Sequence, residues 1–399
     1  MNQFKLKSMK SKNLCRYAVV AIFATLTLSA CKKEKITPND NPTNANELKG
    51  NIASERTLDA SVDYQLTGPL VVEAGGVLNI PAGTTIRAKK GFNNYILVLQ
   101  GGKINVQGTA AKPVKMTADV ENAQPGYWGG LIINGRAPLS GGTIGSTEIS
   151  SAYPYGGNDP HDNSGSITYL EIDYSGARSS SDVEHNGLTL NGVGDGTILE
   201  NIFISNGADD GVELFGGTIN IKNLFVVNVD DDMFDFTQGY SGVIENAYGI
   251  LEPGFTSTES DPRGVEADGN LDGNFPTASG QSNFTLKNVT FDLRMAAASD
   301  NDVTNVTNKM QDVIKVRRGA NANILNALVK GSGTVIDLID LKDGKGNADA
   351  TVAISLTNSL TQTNLGKEIN PETGFATAKV ETGNAGCATN IFAWTNYPF

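Results

Sequence analysis

Residues 199–246 read LENIFISNGADDGVELFGGTINIKNLFVVNVDDDMFDFTQGYSGVIEN, and the stretch repeats itself. An aliphatic residue, any residue and an asparagine precede a strand-like run at Leu199-Glu200-Asn201, Ile221-Lys222-Asn223 and Ile244-Glu245-Asn246. The steps are 22 and 23 residues, and the pattern returns at Leu286-Lys287-Asn288, Ile324-Leu325-Asn326 and Leu356-Thr357-Asn358. Within one period Ile202, Ile204, Val212 and Leu214 alternate with polar residues; one period later Leu224, Val226, Phe234 and Phe236 take their places. Period-two alternation turns those residues inward and Glu213 and Asp235 outward. Asn206 and Asn228 also fall in register, where stacked corner asparagines can satisfy one another's amides. A repeat of this length holding three short strands predicts a right-handed parallel β-helix. A leucine-rich repeat has a similar period, but its fixed leucine framework is absent.

Working outward, the 45 glycines and the short β-branched runs divided by Gly, Asn and Asp describe an all-β body. Val77–Ile86 and Gly101–Thr109 read as strand, glycine corner, strand. Two stretches are too long and polar for a coil and predict loop insertions, near 140–165 and 256–282. Trp128 precedes an apolar strand and is expected in the core. A solenoid needs capped ends, and the candidates are residues near 60–75 and the final Phe392–Phe399.

The N-terminus reads as an export signal. Lys5, Lys7, Lys10, Lys12 and Arg16 precede an apolar run from Tyr17 to Ala30, too short to span a bilayer comfortably. Leu28-Ser29-Ala30-Cys31 has the form of a lipobox, with residues 1–30 as signal peptide and Cys31 as the lipidated residue. Residues 31–56 are expected to be a flexible tether and 57–399 one domain. Cleavage removes five basic residues and no acid, taking the formal charge from −12 to −17. That balance argues against nucleic acid and against electrostatic docking on anionic lipid; the membrane is reached through the lipid. Cys387, the one thiol left, is expected to be buried.

Gly126–Gly135, Tyr155–Asp159 with Asp162–Gly165, Asn186–Leu190 and Asp209–Gly217 resemble a family of Bacteroidetes envelope lipoproteins. The resemblance implies a pectin-lyase-like β-helix and an outer-membrane location, with surface display suggested by Lys32-Lys33-Glu34-Lys35 and the periplasmic face as the alternative. It implies no catalytic residues.

Two features could carry function. Asp209, Asp210 and Glu213 precede Asp231, Asp232 and Asp235 by one period, so like charges stack about 4.8 Å apart. Such a column calls for a cation, raised pKa values or splayed side chains, and oxygen-only ligands favour Ca²⁺. The preferred ligand set is Asp209, Asp210, Asp231 and Asp232, with Glu213 and Asp235 beside them. Solvated corner residues are the plain alternative. The second feature is aromatic: Phe203, Phe225 and Tyr248 stack on the outside of three coils, either as a sugar platform or under one of the long loops. Tyr153 and Tyr155 could line a groove. The expected function is non-catalytic binding or adhesion to a glycan or another envelope component. A carbohydrate-active enzyme is the alternative and a structural surface protein the third. The Asp209-Asp210 segment has a faint likeness to polygalacturonases, but His161 and His185 lie outside the motif those enzymes use. Lys315, the conceivable lyase base, is several coils away.

Overall fold

The computed structural model describes residues 45–180, 183–296 and 308–399. Residues 1–44 lie outside them, and with them the expected signal segment, Cys31 and the first part of the expected tether. The part of residues 31–56 that the structure describes is folded, contrary to the expectation of a flexible tether. Residues 47–57 already form two strands, Glu47–Ile52 and Glu55–Thr57, of the first coil. Leu48 and Ile52 explain this, because both sink into the core.

Successive coils pair in parallel and in register, giving one continuous sheet wound into three faces. The first face runs through Ile96–Val98, Leu131–Asn134, Leu188–Asn191, Val212–Phe215, Phe234–Thr237, Arg263–Asp268 and Met310–Arg317. The second carries Val77–Pro81, Lys103–Gln107 and the starts of the longer strands. The third carries their continuations, such as Ile202–Gly207 opposite Leu224–Val229. Inward residues form columns: Leu188, Val212, Phe234, Val265 and Ile314 succeed one another, all fully buried. Trp128 is also fully buried and donates its indole N–H to the Asp173 carbonyl at 2.9 Å.

The asparagine ladder lies one corner away from where Asn206 and Asn228 suggested. Those two are bonded to Asp173 and Glu252 instead. The repeated Asn of the aliphatic-x-Asn pattern forms the ladder. Asn223 donates Nδ2 to Asn201 Oδ1 (2.8 Å), Asn246 to Asn223 (2.9 Å), Asn288 to Asn246 (3.0 Å) and Asn326 to Asn288 (2.8 Å). All five have φ between 54° and 65°, a left-handed conformation that asparagine tolerates better than most residues. They bend each strand from the second face to the third. Asn358 does not join, because its strand slips in register and sets it opposite Val329. The Ala385 and Gly386 amides bond Asn326 Oδ1 in its place.

The 140–165 insertion contains its own antiparallel hairpin, Gly145–Thr147 with Ser150–Tyr155. The 256–282 stretch is not one loop. Arg263–Asp268 inside it is a strand of the first face; its outward charges disguise it. The cap assignments also change. Residues 63–72 are a strand within the sheet. The last residues run back along the side of the solenoid, where the Thr389–Thr395 turn of 3-10 helix packs beside the third face.

Candidate functional site

The first face places the acidic residues. Since Val212 opposes Phe234, Glu213 opposes Asp235, as the period requires. The column continues through Glu266, Lys315 and Asp340. A second outward column follows the corner where the chain enters the face, with Arg263, Asp312 and Asp337 in register.

Basic residues are unevenly spread along these columns. Arg263 meets Asp261, Glu266, Asp312 at 3.2 Å and Asp232 at 3.8 Å. Lys315 pairs with Asp340, and Arg317 with Glu266 and Asp268. Arg318 bonds Asp268 and Asp343. The stretches 209–213 and 231–235 carry six carboxylates and no basic residue of their own.

Oxygens of Asp209, Asp210 and Asp231 lie within 4.8 Å of one another, and so do oxygens of Asp210, Glu213 and Asp235. Asp232 departs from the expected set of four. It turns toward Arg263, while its backbone N–H donates to Asp210 Oδ1 at 2.9 Å. Glu213 and Asp235 point away from the core as expected, yet they are only partly exposed. Burial, and then the neighbouring carboxylates, push Asp209, Asp210, Asp232 and Glu213 well above the usual range. Burial likewise pushes Asp231 and Asp235 up to about 7. Asp231, Asp232 and Asp235 each keep a buried Oδ1 with no hydrogen-bond partner among the described residues. These groups need protons or a cation.

The first insertion packs against the same face. Tyr155 is buried beside Leu139 and Phe215, and its hydroxyl donates to Gln238 Oε1 at 3.1 Å. Between this insertion and residues 271–279 opens a cleft of about 790 Å³. Tyr155, Phe215 and Gln238 line it together with Ser140, Glu148 and Ser279. Ile144, Leu271 and Phe275 line it as well and are unusually exposed apolar side chains, Phe275 at 54% and Ile144 at 63%. The sequence singled out Tyr155 alone of this set. Tyr153 packs elsewhere, against Val71, Tyr95, Leu97 and Ile132.

The aromatic column is not a platform. Phe203, Phe225 and Tyr248 are in register on the third face, and Phe203 stacks on Phe225 at 4.8 Å. Phe225 and Tyr248 are buried. Their cover is the C-terminal segment, not either long loop: Phe392 and Phe399 each stack on Phe225 at 5.1 Å, and Tyr397 meets it edge-on. The Tyr397 hydroxyl donates to Glu252 Oε1 at 2.6 Å, and Cys387 is buried in the same cluster.

Neither histidine joins the acidic columns by a hydrogen bond. His161 is exposed and bonds Asp195 at 2.7 Å. The His185 ring lies against Phe92 and Tyr95, with Nε2 3.0 Å from the Phe92 carbonyl oxygen.

Comparison with solved structures finds pectate lyase Pel9A at 15% identity and a TM-score of 0.39, over 77% of this chain and 74% of that one. It also finds a GH87 alpha-1,3-glucanase catalytic domain, solved with tetrasaccharides, at 12% identity and a TM-score of 0.27. That match spans 84% of this chain and 63% of the glucanase chain. A search of curated proteins finds no match. The model of the family described as a pectate-lyase like beta helix domain matches residues 50–397, nearly the whole of the coiled body, and the chain belongs to that family.

Proposed function

We propose that the chain is an outer-membrane lipoprotein, anchored through Cys31 and acting as a binding module without catalysis. Its ligand is a glycan, taken up in the cleft between the two insertions, and calcium on the Asp209–Asp235 carboxylates steadies the face on which the first insertion rests. The observation that carries the reading is the cleft: Ile144, Leu271 and Phe275 converge on one concavity with hydroxyl, amide and carboxylate groups among them. A mostly apolar wall with a few polar groups is what a small ligand site requires. The calcium component rests on the oxygen-only donor set and on the partnerless Oδ1 atoms of Asp231 and Asp235. The anchor rests on the sequence of residues 1–31 alone.

The second reading, a carbohydrate-active enzyme, draws on the same carboxylates. It needs a free base beside them, and Arg263, Lys315 and Arg317 are each bonded to carboxylates. A glycan array probed with the purified chain, in calcium and in EDTA, tests the proposal. Retention of a glycan class in calcium is expected. Retention of none overturns it, and shortened or unsaturated products from a bound polysaccharide would establish the enzyme instead.

A further inference from the structure

Farther along the first face a second set of carboxylates converges. Asp312 and Asp337 oppose one another on adjacent strands, and Asp340 follows on the strand of Asp337, opposite Lys315. One oxygen from each lies within 4.8 Å of the other two. Calcium holds oxygen ligands at 2.3–2.6 Å, so two ligands of one ion stand at most about 5 Å apart. Each carboxylate is held by a donor on one oxygen. Arg263 Nε reaches Asp312 Oδ2 at 3.2 Å, Asn370 Nδ2 reaches Asp337 Oδ2 at 2.9 Å, and Lys315 Nζ bonds Asp340 Oδ2. Asp340 Oδ1 also accepts from the Lys342 amide at 3.0 Å.

Asp312 supplies the independent observation. It is 1% exposed, and its Oδ1 has no hydrogen-bond partner among the described residues. A buried carboxylate oxygen without a donor is costly and calls for an explanation. The nearby positive charge is already divided. Lys315 is bonded to Asp340, and Arg263 is shared among Asp232, Asp261, Glu266 and Asp312. Lys367 stands opposite Asp337 and bonds Asn370 at 3.4 Å, so the three carboxylates share cations that other groups also hold, and the pocket offers oxygen donors with neither histidine nor cysteine.

We propose that Asp312, Asp337 and Asp340 form a calcium site of their own, separate from the Asp209–Asp235 group and independent of any glycan. The ion bonds the freed Asp312 oxygen, ties the Met310–Arg317 strand to its neighbour, and completes its shell with water.

Calcium is titrated by calorimetry into the metal-stripped chain, with a cooperative thermal melt as the check of folding for each variant. In a background of Asp209→Asn with Asp231→Asn, calcium binding should persist. Adding Asp337→Asn or Asp312→Asn, both isosteric, should weaken it roughly tenfold or more. In the otherwise wild-type chain the same single changes should lower the stoichiometry by one ion, which covers a background that fails to fold. Calcium binding that neither change alters, in either setting, overturns the proposal, as does a wild-type chain that binds no calcium.

Discussion

Val212 stands directly opposite Phe234 on the neighbouring parallel strand, and both side chains are fully buried. Val212→Asp would place a charge with no partner in a core column. The expected cost is several kcal/mol, among the largest single-site effects. In EDTA, Glu213→Gln, one residue on, facing outward and nearly isosteric, should change stability by less than about 1 kcal/mol. Denaturant melts of the two variants measure the difference, and equal shifts would mean the register is wrong.

The asparagine ladder separates backbone strain from hydrogen bonding. Asn223 gives its amide to Asn201 and accepts from Asn246, at φ 60°. Asn223→Ala loses both bonds and forces alanine into the left-handed region, at about 2–4 kcal/mol in all. Asn223→Gly loses the same bonds but keeps the bend at lower strain, so it should be the milder change by about 1 kcal/mol. Alanine no worse than glycine at this position would remove the backbone argument.

The C-terminal segment shields the third face. Phe392 is fully buried against Phe225 and Tyr248. Phe392→Ala should cost about 3 kcal/mol and expose Cys387, now 5% exposed, to a thiol reagent. A Cys387 thiol that stays unreactive in the variant would mean that the segment is held by other contacts.

His185 gives a pH dependence of definite sign. Burial lowers its pKa from 6.5 to about 4. The unfolded chain therefore takes up the proton first as pH falls. Stability from this residue is full above about pH 6.5 and is lost on acidification toward pH 4, by about 2 kcal/mol between pH 7 and pH 5. Chemical denaturation of wild type and His185→Phe at both pH values isolates it. The variant should lose less stability on acidification, and parallel losses would refute the assignment.

Much of the coil was legible because its signal is local. The period of 22 and 23 residues, the alternation at Ile202–Leu214 and the aliphatic-x-Asn repeat all follow from a chain that pairs with its own next turn. The Arg263–Asp268 strand was hidden because its outward positions are filled by charges that meet partners such as Arg317 and Asp312, 49–51 residues away. The same remoteness concealed the cover on Phe225, which comes from the far end of the chain. The six carboxylates of the 209–235 pair of coils were legible as a cluster. That Asp232 leaves them for Arg263 was not, since it depends on which side chain enters from the next coil. Ile144, Leu271 and Phe275 have no periodicity to give them away; the two insertions bring them together.

The most direct measurement is the melting temperature of the purified chain in EDTA and in millimolar calcium, for wild type and for Asp209→Asn with Asp231→Asn. The account predicts that calcium raises the wild-type value, with stabilisation of roughly 2.7 kcal/mol per ion at a hundredfold excess over its dissociation constant. The double variant should lose the share due to the Asp209–Asp231 group. In EDTA at neutral pH it should melt higher than wild type, because two carboxyls that burial and their neighbours hold against ionisation have gone from a crowded face. A wild-type melting temperature that is the same in calcium and in EDTA would contradict the account.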